Sequence, residues 1–205
     1  MNIRYAQVMP RALRTRFEGA YYHVFNRGVE KRAIFKDDRD RKTFLKLLAE
    51  AVHKFDLRLF VYCLMGNHFH LFLQTPRANL DRAMQSLQGQ YAHYVNSRYD
   101  RVGALFGGRY KSPLVKFDDY AMTLLRYIHR NPLDGALVGR LEDYPWSSYP
   151  SYVGKLPRWP WLETKSMLQL FHPDLGLALE PFQKFHETLP SEEEKKKLKR
   201  SGHLL

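Results

Sequence analysis

The chain has 205 residues, and 33 Lys and Arg against 21 Asp and Glu leave it with a net charge of +12. That length holds one domain with a real core plus an appendage, not two full-sized domains, and the charge suits a polyanionic partner. A membrane partner is not expected: no apolar run approaches the roughly 20 residues of a spanning helix. The stretch from Met1 to Phe17 has arginines but no continuous apolar core of a secretory signal. The single cysteine, Cys63, excludes an internal disulfide or a cysteine-based zinc cluster within one chain. Composition therefore points to a cytoplasmic nucleic-acid binder.

The first periodic segment, Ala20 to Phe25, is short and aromatic and predicts a strand ending at the turn signal Asn26-Arg27-Gly28. A helix follows, capped by Asp37 or Asp38, with Phe44, Leu47, Leu48, Ala51, Val52 and Phe55 at helical spacing. Leu57 to Leu64 and His68 to Gln74 read as two strands of a hairpin around Met65-Gly66-Asn67. Asn79 caps a long helix bearing Leu80, Met84, Leu87, Tyr91, Tyr94 and Val95. Ser112 to Phe117 predicts a further short strand. Asp118 then caps a helix running to about Arg130, with Asn131-Pro132 expected to stop it. The order β-α-β-β-α-β-α is an α+β pattern whose first six elements match a ferredoxin-like antiparallel sheet with helices on one face. After about Val153, prolines punctuate short helical stretches. The expected division is a catalytic domain over residues 1–155 and a helical tail over 156–205, its Glu192 to Arg200 run an exposed, salt-bridged helix.

The sharpest chemical feature is His68-Phe69-His70. Alternation on a strand turns both imidazoles to one side, with Phe69, Leu71 and Leu73 toward the core, and this makes half a site for a divalent metal. Two surface histidines would give the same pattern. The residues that would extend it to a metallo-hydrolase or a cupin are absent, since Leu71, Phe72, Leu73 and Gln74 follow. On the last helix Tyr127 and Asn131 lie one turn apart, a phenol and an amide that can serve as nucleophile and third metal ligand. Core packing for the tyrosine and capping for the asparagine are the plainer alternatives. His129 points to the other side of that helix.

Five separated motifs together resemble a known family. His68-Phe69-His70 after Met65-Gly66-Asn67, followed later by Leu125 to Pro132, looks like the single-tyrosine HUH transposases, most similar to the REP-associated tyrosine transposase branch. Tyr22 to Gly28, Phe106 to Ser112 and Pro145 to Tyr149 resemble that branch too, and the similarity covers roughly residues 18 to 170. The resemblance implies a ferredoxin-like fold, His68 and His70 as the HUH pair, Tyr127 as nucleophile and Asn131 at the third ligand position, where some relatives carry the longer Gln. It also implies Mg²⁺ or Mn²⁺ as cofactor, single-stranded or hairpin DNA as partner, and cleavage through a 5′-phosphotyrosine in DNA transposition or repeat mobilisation. A homodimer stays open, because relatives include both dimers and monomers.

A DNA track is expected along Arg27, Lys31, Arg32, Arg109, Lys111 and Lys116, with Phe106 and Tyr110 stacking on unpaired bases. The competing reading is a non-catalytic single-strand nucleic-acid binder on a ferredoxin-like sheet, although the strands lack the aromatic RNP pattern of RRM domains.

Overall fold

The computed structural model describes residues 17–117 and 119–200, the side chains of Asp119 and Arg200 aside. Met1 to Arg16 and the Asp118 cap lie outside the described residues.

Strand β1 (Ala20–Arg27) leads through a short 3-10 turn into helix α1 (Asp38–Lys54). Asp37 caps that helix, its carboxylate accepting from the Asp40 N–H. The hairpin β2 (Arg58–Leu64) and β3 (His68–Thr75) follows, then helix α2 (Leu80–Arg98). Asn79 occupies the cap position of α2, but its side chain makes no capping bond. Its amide donates instead to the Phe55 carbonyl at 2.8 Å, tying the end of α1 to the start of α2.

The sheet order is β1-β3-β2, all antiparallel, with Arg27 opposite His68, Phe25 opposite His70 and Cys63 opposite His70 on the other flank. The expected fourth strand is not continuous. Residues 105–115 run antiparallel along the free edge of β1 through isolated bridges, among them Phe25 with Lys111 and Tyr22 with Leu114. Lys111 and Phe25 exchange both backbone bonds, while Pro113 contributes only its carbonyl, to His23 N at 3.1 Å. A proline cannot donate to the ladder, which explains why this edge is broken. The position beside β1 is still that of the fourth strand in a ferredoxin-like sheet.

Helices α1 and α2 cover one face. Phe44 and Tyr91 meet edge to face at 5.0 Å, and Phe44 also packs at 5.0 Å on Phe69 of β3. Asp40, fully buried, bonds to Arg98, Tyr94 and Tyr99 of α2 and its end, which locks the two helices together. The other face is not open. Helix α3 (Asp119–Asp134) lies over β2 and β3, so His70 is fully buried. Asn131-Pro132 does not stop α3. Pro132 costs one N–H near the end of the helix, the buried face of Leu124, Leu125 and Ile128 holds the turn, and Gly135 N still donates to the Asn131 carbonyl at 2.9 Å.

The C-terminal segment forms α4 (Tyr149–Tyr152), α5 (Lys165–Leu168), α6 (Leu175–Glu187) and α7 (Glu192–Arg200). These are docked rather than merely draped. Arg126 of α3 pairs with Glu194 at 2.5 Å and Leu198 is buried, so α7 is more than a solvated charge run. No helix among the described residues is long and apolar enough to cross a membrane.

Candidate active site

Register builds the site. Directly opposed residues of an antiparallel pair share a face. Arg27 and His68, then Phe25 and His70, therefore lie on the α3 side of the sheet, and His23, two residues before Phe25, joins them. His23 is the functional candidate that the motif reading missed. Its Nε2 lies 2.9 Å from His70 Nδ1, and the two rings stack at 5.0 Å. The sequence carried a signal, since His23, Phe25 and Arg27 alternate on one strand; only the pairing with β3 gave it meaning.

Each histidine of the pair is held through Nδ1. His68 Nδ1 donates to Asn67 Oδ1 at 2.6 Å, and Asn67 is itself oriented because its Nδ2 donates to the Lys31 carbonyl at 3.0 Å. His68 therefore presents Nε2 as a lone pair. His70 Nδ1 faces His23 Nε2, so one proton is shared across that contact and the ring is held from that side. Burial, reinforced by the nearby charge of Arg27, pulls the His68 pKa down to about 4. The imidazole is neutral at physiological pH, as a metal ligand must be.

Tyr127 and Asn131 reach the same point from α3. The phenol ring meets His70 edge-on at 5.6 Å and His23 at 6.2 Å. The Asn131 Nδ2 donates to the Tyr127 carbonyl at 2.8 Å, and the same side chain lies near enough to bear on the ionisation of both the His68 imidazole and the Tyr127 phenol. The shorter asparagine is brought toward the strand because α3 packs over β2 and β3. Burial pushes the phenol pKa up to about 12, partly offset by the nearby Asn131 side chain and by Arg27. Tyr127, His68, His70, Asn131 and Arg27 come together. Among the described residues no group of three or more His, Cys, Asp or Glu is arranged to hold a metal, and the third donor here would be an amide.

The basic residues are more dispersed. Arg109 and Lys111 are exposed on the segment beside β1, with Lys111 5.6 Å over the Phe25 ring. Tyr110 is buried, which leaves the half-buried Phe106 ring as the more accessible stacking surface of the two. Arg109, Phe106 and Tyr110 line a groove of about 520 Å³ against Gln85 and Gln88 of α2. Asn26 ties this groove to the site: its amide donates to Gln88 at 2.7 Å and to the Gly108 carbonyl at 3.1 Å, and its Oδ1 accepts from Arg27 N. Gly28 is required where it stands, because a Cβ there would lie 2.1 Å from the Arg32 carbonyl oxygen.

The family described as "Transposase IS200 like" matches residues 16–131, more than half of the chain and all of the elements just described through Asn131. The chain belongs to the IS200-like transposase family. A REP-associated tyrosine transposase solved bound to a REP hairpin superposes with a TM-score of 0.61 at 13% identity, over 72% of this chain and 87% of that one. At that identity the likeness speaks to the fold. A candidate transposase of Deinococcus radiodurans (18% identity, 59% of this chain and 97% of that one, TM-score 0.41) is more distant. So is the tRNA(His) guanylyltransferase of Saccharomyces cerevisiae (10%, 93% and 82%, 0.42), and neither bears on the argument. No curated protein sequence matches the chain.

Proposed function

We propose that this transposase-family protein is a metal-dependent single-strand DNA endonuclease and strand transferase in which Tyr127 is the nucleophile. The observation that carries the reading is the convergence of Tyr127 and Asn131 from α3 on His68 and His70 of β3.

The donor set fits a divalent cation. His68 and His70 are each held through Nδ1, the arrangement that orients an imidazole for ligation through Nε2, and Asn131 adds an amide oxygen. Two imidazoles and one amide would leave half the positions of a six-coordinate Mg²⁺ or Mn²⁺ for substrate oxygens and water; imidazole favours Mn²⁺ by affinity and cellular abundance favours Mg²⁺. When bound, the ion neutralises charge on the scissile phosphate.

The chain's own residues do the rest. The Tyr127 oxygen forms a bond to phosphorus as the bond to the 3′ oxygen breaks. The phenol proton is lost and the departing oxygen gains one, giving a 5′-phosphotyrosine and a free 3′-OH. The covalent link conserves the phosphodiester bond energy, so rejoining needs no nucleotide cofactor. Asn131 donates to the Tyr127 carbonyl and, with Arg27, opposes the effect of burial on the phenol's ionisation. His129 is no candidate base, because both of its ring nitrogens bond elsewhere, to Ser148 and His186. The +12 charge and the DNA hairpin held by the structural relative support unpaired or hairpin DNA as substrate. Arg27, Arg109 and Lys111 are the phosphate contacts of this reading, and Phe106 with Tyr110 the flank nearest the bases.

Tyr127→Phe tests it. Labelled single-stranded oligonucleotide with Mg²⁺ or Mn²⁺ should give a covalent adduct on a denaturing gel with the native chain and none with the variant, which still binds DNA. Adduct formation by Tyr127→Phe, or an adduct peptide that excludes residue 127, overturns the assignment.

A further inference from the structure

All three tryptophans of the chain line one groove, on the opposite side of the sheet from His68 and His70. Tyr62 and Cys63 alternate on β2. Cys63 shares the histidine side through its pairing with His70, so Tyr62 points to the α1 side. There Tyr62 packs at 5.8 Å on Trp161, which stacks at 5.9 Å and 18° on Trp159. Trp159 lies close enough to Tyr62 to bear on the ionisation of its hydroxyl, yet remains 41% exposed. Trp146 closes the far wall, and the cavity is about 540 Å³.

One rim is charged. Lys42 and Lys46 stand one turn apart on α1, both exposed, and among the described residues no carboxylate lines the groove. A flat, exposed indole beside two ammonium groups matches a nucleotide: the base stacks, and its phosphates meet the lysines. An apolar peptide would use the rings but leave both lysines without a counter-charge.

We propose that this groove is a second DNA site, taking unpaired nucleotides of the strand outside the point of cleavage. This rests on the reading of single-stranded DNA as substrate, not on the Tyr127 chemistry. A strand filling both sites passes the β2 edge of the sheet.

The tryptophan content makes the test direct, because intrinsic indole fluorescence reports on this groove alone. Titrating the full chain, without metal, with a short oligothymidylate should quench that emission in step with binding followed by anisotropy of a labelled copy. Lys42→Glu/Lys46→Glu, at two exposed positions, should weaken binding about tenfold and make the log–log salt slope shallower by about 1.4. Trp159→Ala should weaken binding similarly and abolish most of the quenching. Binding by anisotropy with unchanged emission overturns the groove and leaves the nuclease reading standing. Quenching here, with no Tyr127 adduct in the separate cleavage assay that contains Mg²⁺ or Mn²⁺, supports the groove while the nuclease reading falls. No binding at all overturns both. Self-association that Trp159→Ala abolishes, with DNA affinity unchanged, assigns the groove to a second copy and overturns the proposal.

Discussion

Helix α3 carries a buried histidine pair against each of its sides, and the two pairs differ in everything except their spacing. In front, His23 and His70 lie 2.9 Å apart beneath Tyr127. Behind, His129 and His186 lie 3.0 Å apart, enclosed by Tyr149, Tyr152 and Phe182. The rear pair is a closed chain of bonds anchored at a carbonyl. His186 Nδ1 donates to Phe182 O, so its Nε2 must accept from His129 Nδ1, and His129 Nε2 accepts from Ser148 Oγ at 2.7 Å. No lone pair is left for a ligand. In front, His68 bonds Asn67 through Nδ1 with the Asn131 side chain and Arg27 close by, and the Tyr127 ring lies edge-on to His70. Two histidines in contact therefore do not by themselves make a candidate metal site. The oxygen donors gathered beside the front pair are what set it apart.

The rear network does a different job. Arg126 reaches Glu194 and the carbonyls of Phe185 and Thr188, and Arg130 donates to the His186 carbonyl at 2.8 Å. Together they hold α6 and α7 against the helix that presents Tyr127.

The largest effect that sharpens this contrast is on stability. His186→Leu keeps most of the volume but leaves the His129 N–H without its acceptor in an apolar surround. It should lower folding stability by about 2–4 kcal/mol, read by denaturant unfolding, while the folded fraction still forms the DNA adduct. A folded variant that bound DNA but formed no adduct would break the contrast, since the rear pair would then share in the chemistry.

The same residue sets a pH dependence. Burial lowers the His186 pKa from its ordinary 6.5 to about 3. Between those values the unfolded chain binds the proton and the folded one does not, so stability is full above about 6.5 and falls as pH drops toward 3. His129 is shifted in the same direction by burial and adds to the same slope. Thermal melts should show this loss in the native chain and a flatter curve in His186→Leu; equal slopes would show that the rear pair is hydrated.

A smaller effect is expected in front. His23→Phe preserves the ring but removes the partner of His70 Nδ1. Loss of such an orienting bond weakens metal affinity about 10- to 100-fold, measurable by Mn²⁺ titration. Unchanged affinity would reduce His23 to packing. The smallest effect belongs to the exposed edge: Lys111→Ala should lower single-strand affinity a few-fold and the salt slope by about 0.7, and an unaltered slope would remove Lys111 from the DNA track.

Much of this was legible in the chain. Local periodicity sets β1, the β2–β3 hairpin, α1 and α2, because alternation and helical spacing are properties of neighbouring residues. His68 and His70 share a side for the same reason, and Tyr127 with Asn131 share a helical face. What depends on distant contacts was not legible. Pro132 inside α3 follows from tertiary burial that outweighs a local stop signal, and the broken fourth strand from Pro113 at an edge with a single neighbour. His23 became part of the site only through its register with β3, and the burial of Tyr110 only through the packing of its segment. The two histidine pairs make the division sharpest. The sequence by itself determined that His70 and His129 carry the same side chain and the same two nitrogens. Only the tertiary structure decided what each of them meets, His23 beneath Tyr127 for the one and Ser148 with His186 for the other, because hydrogen-bond partners come from residues far along the chain.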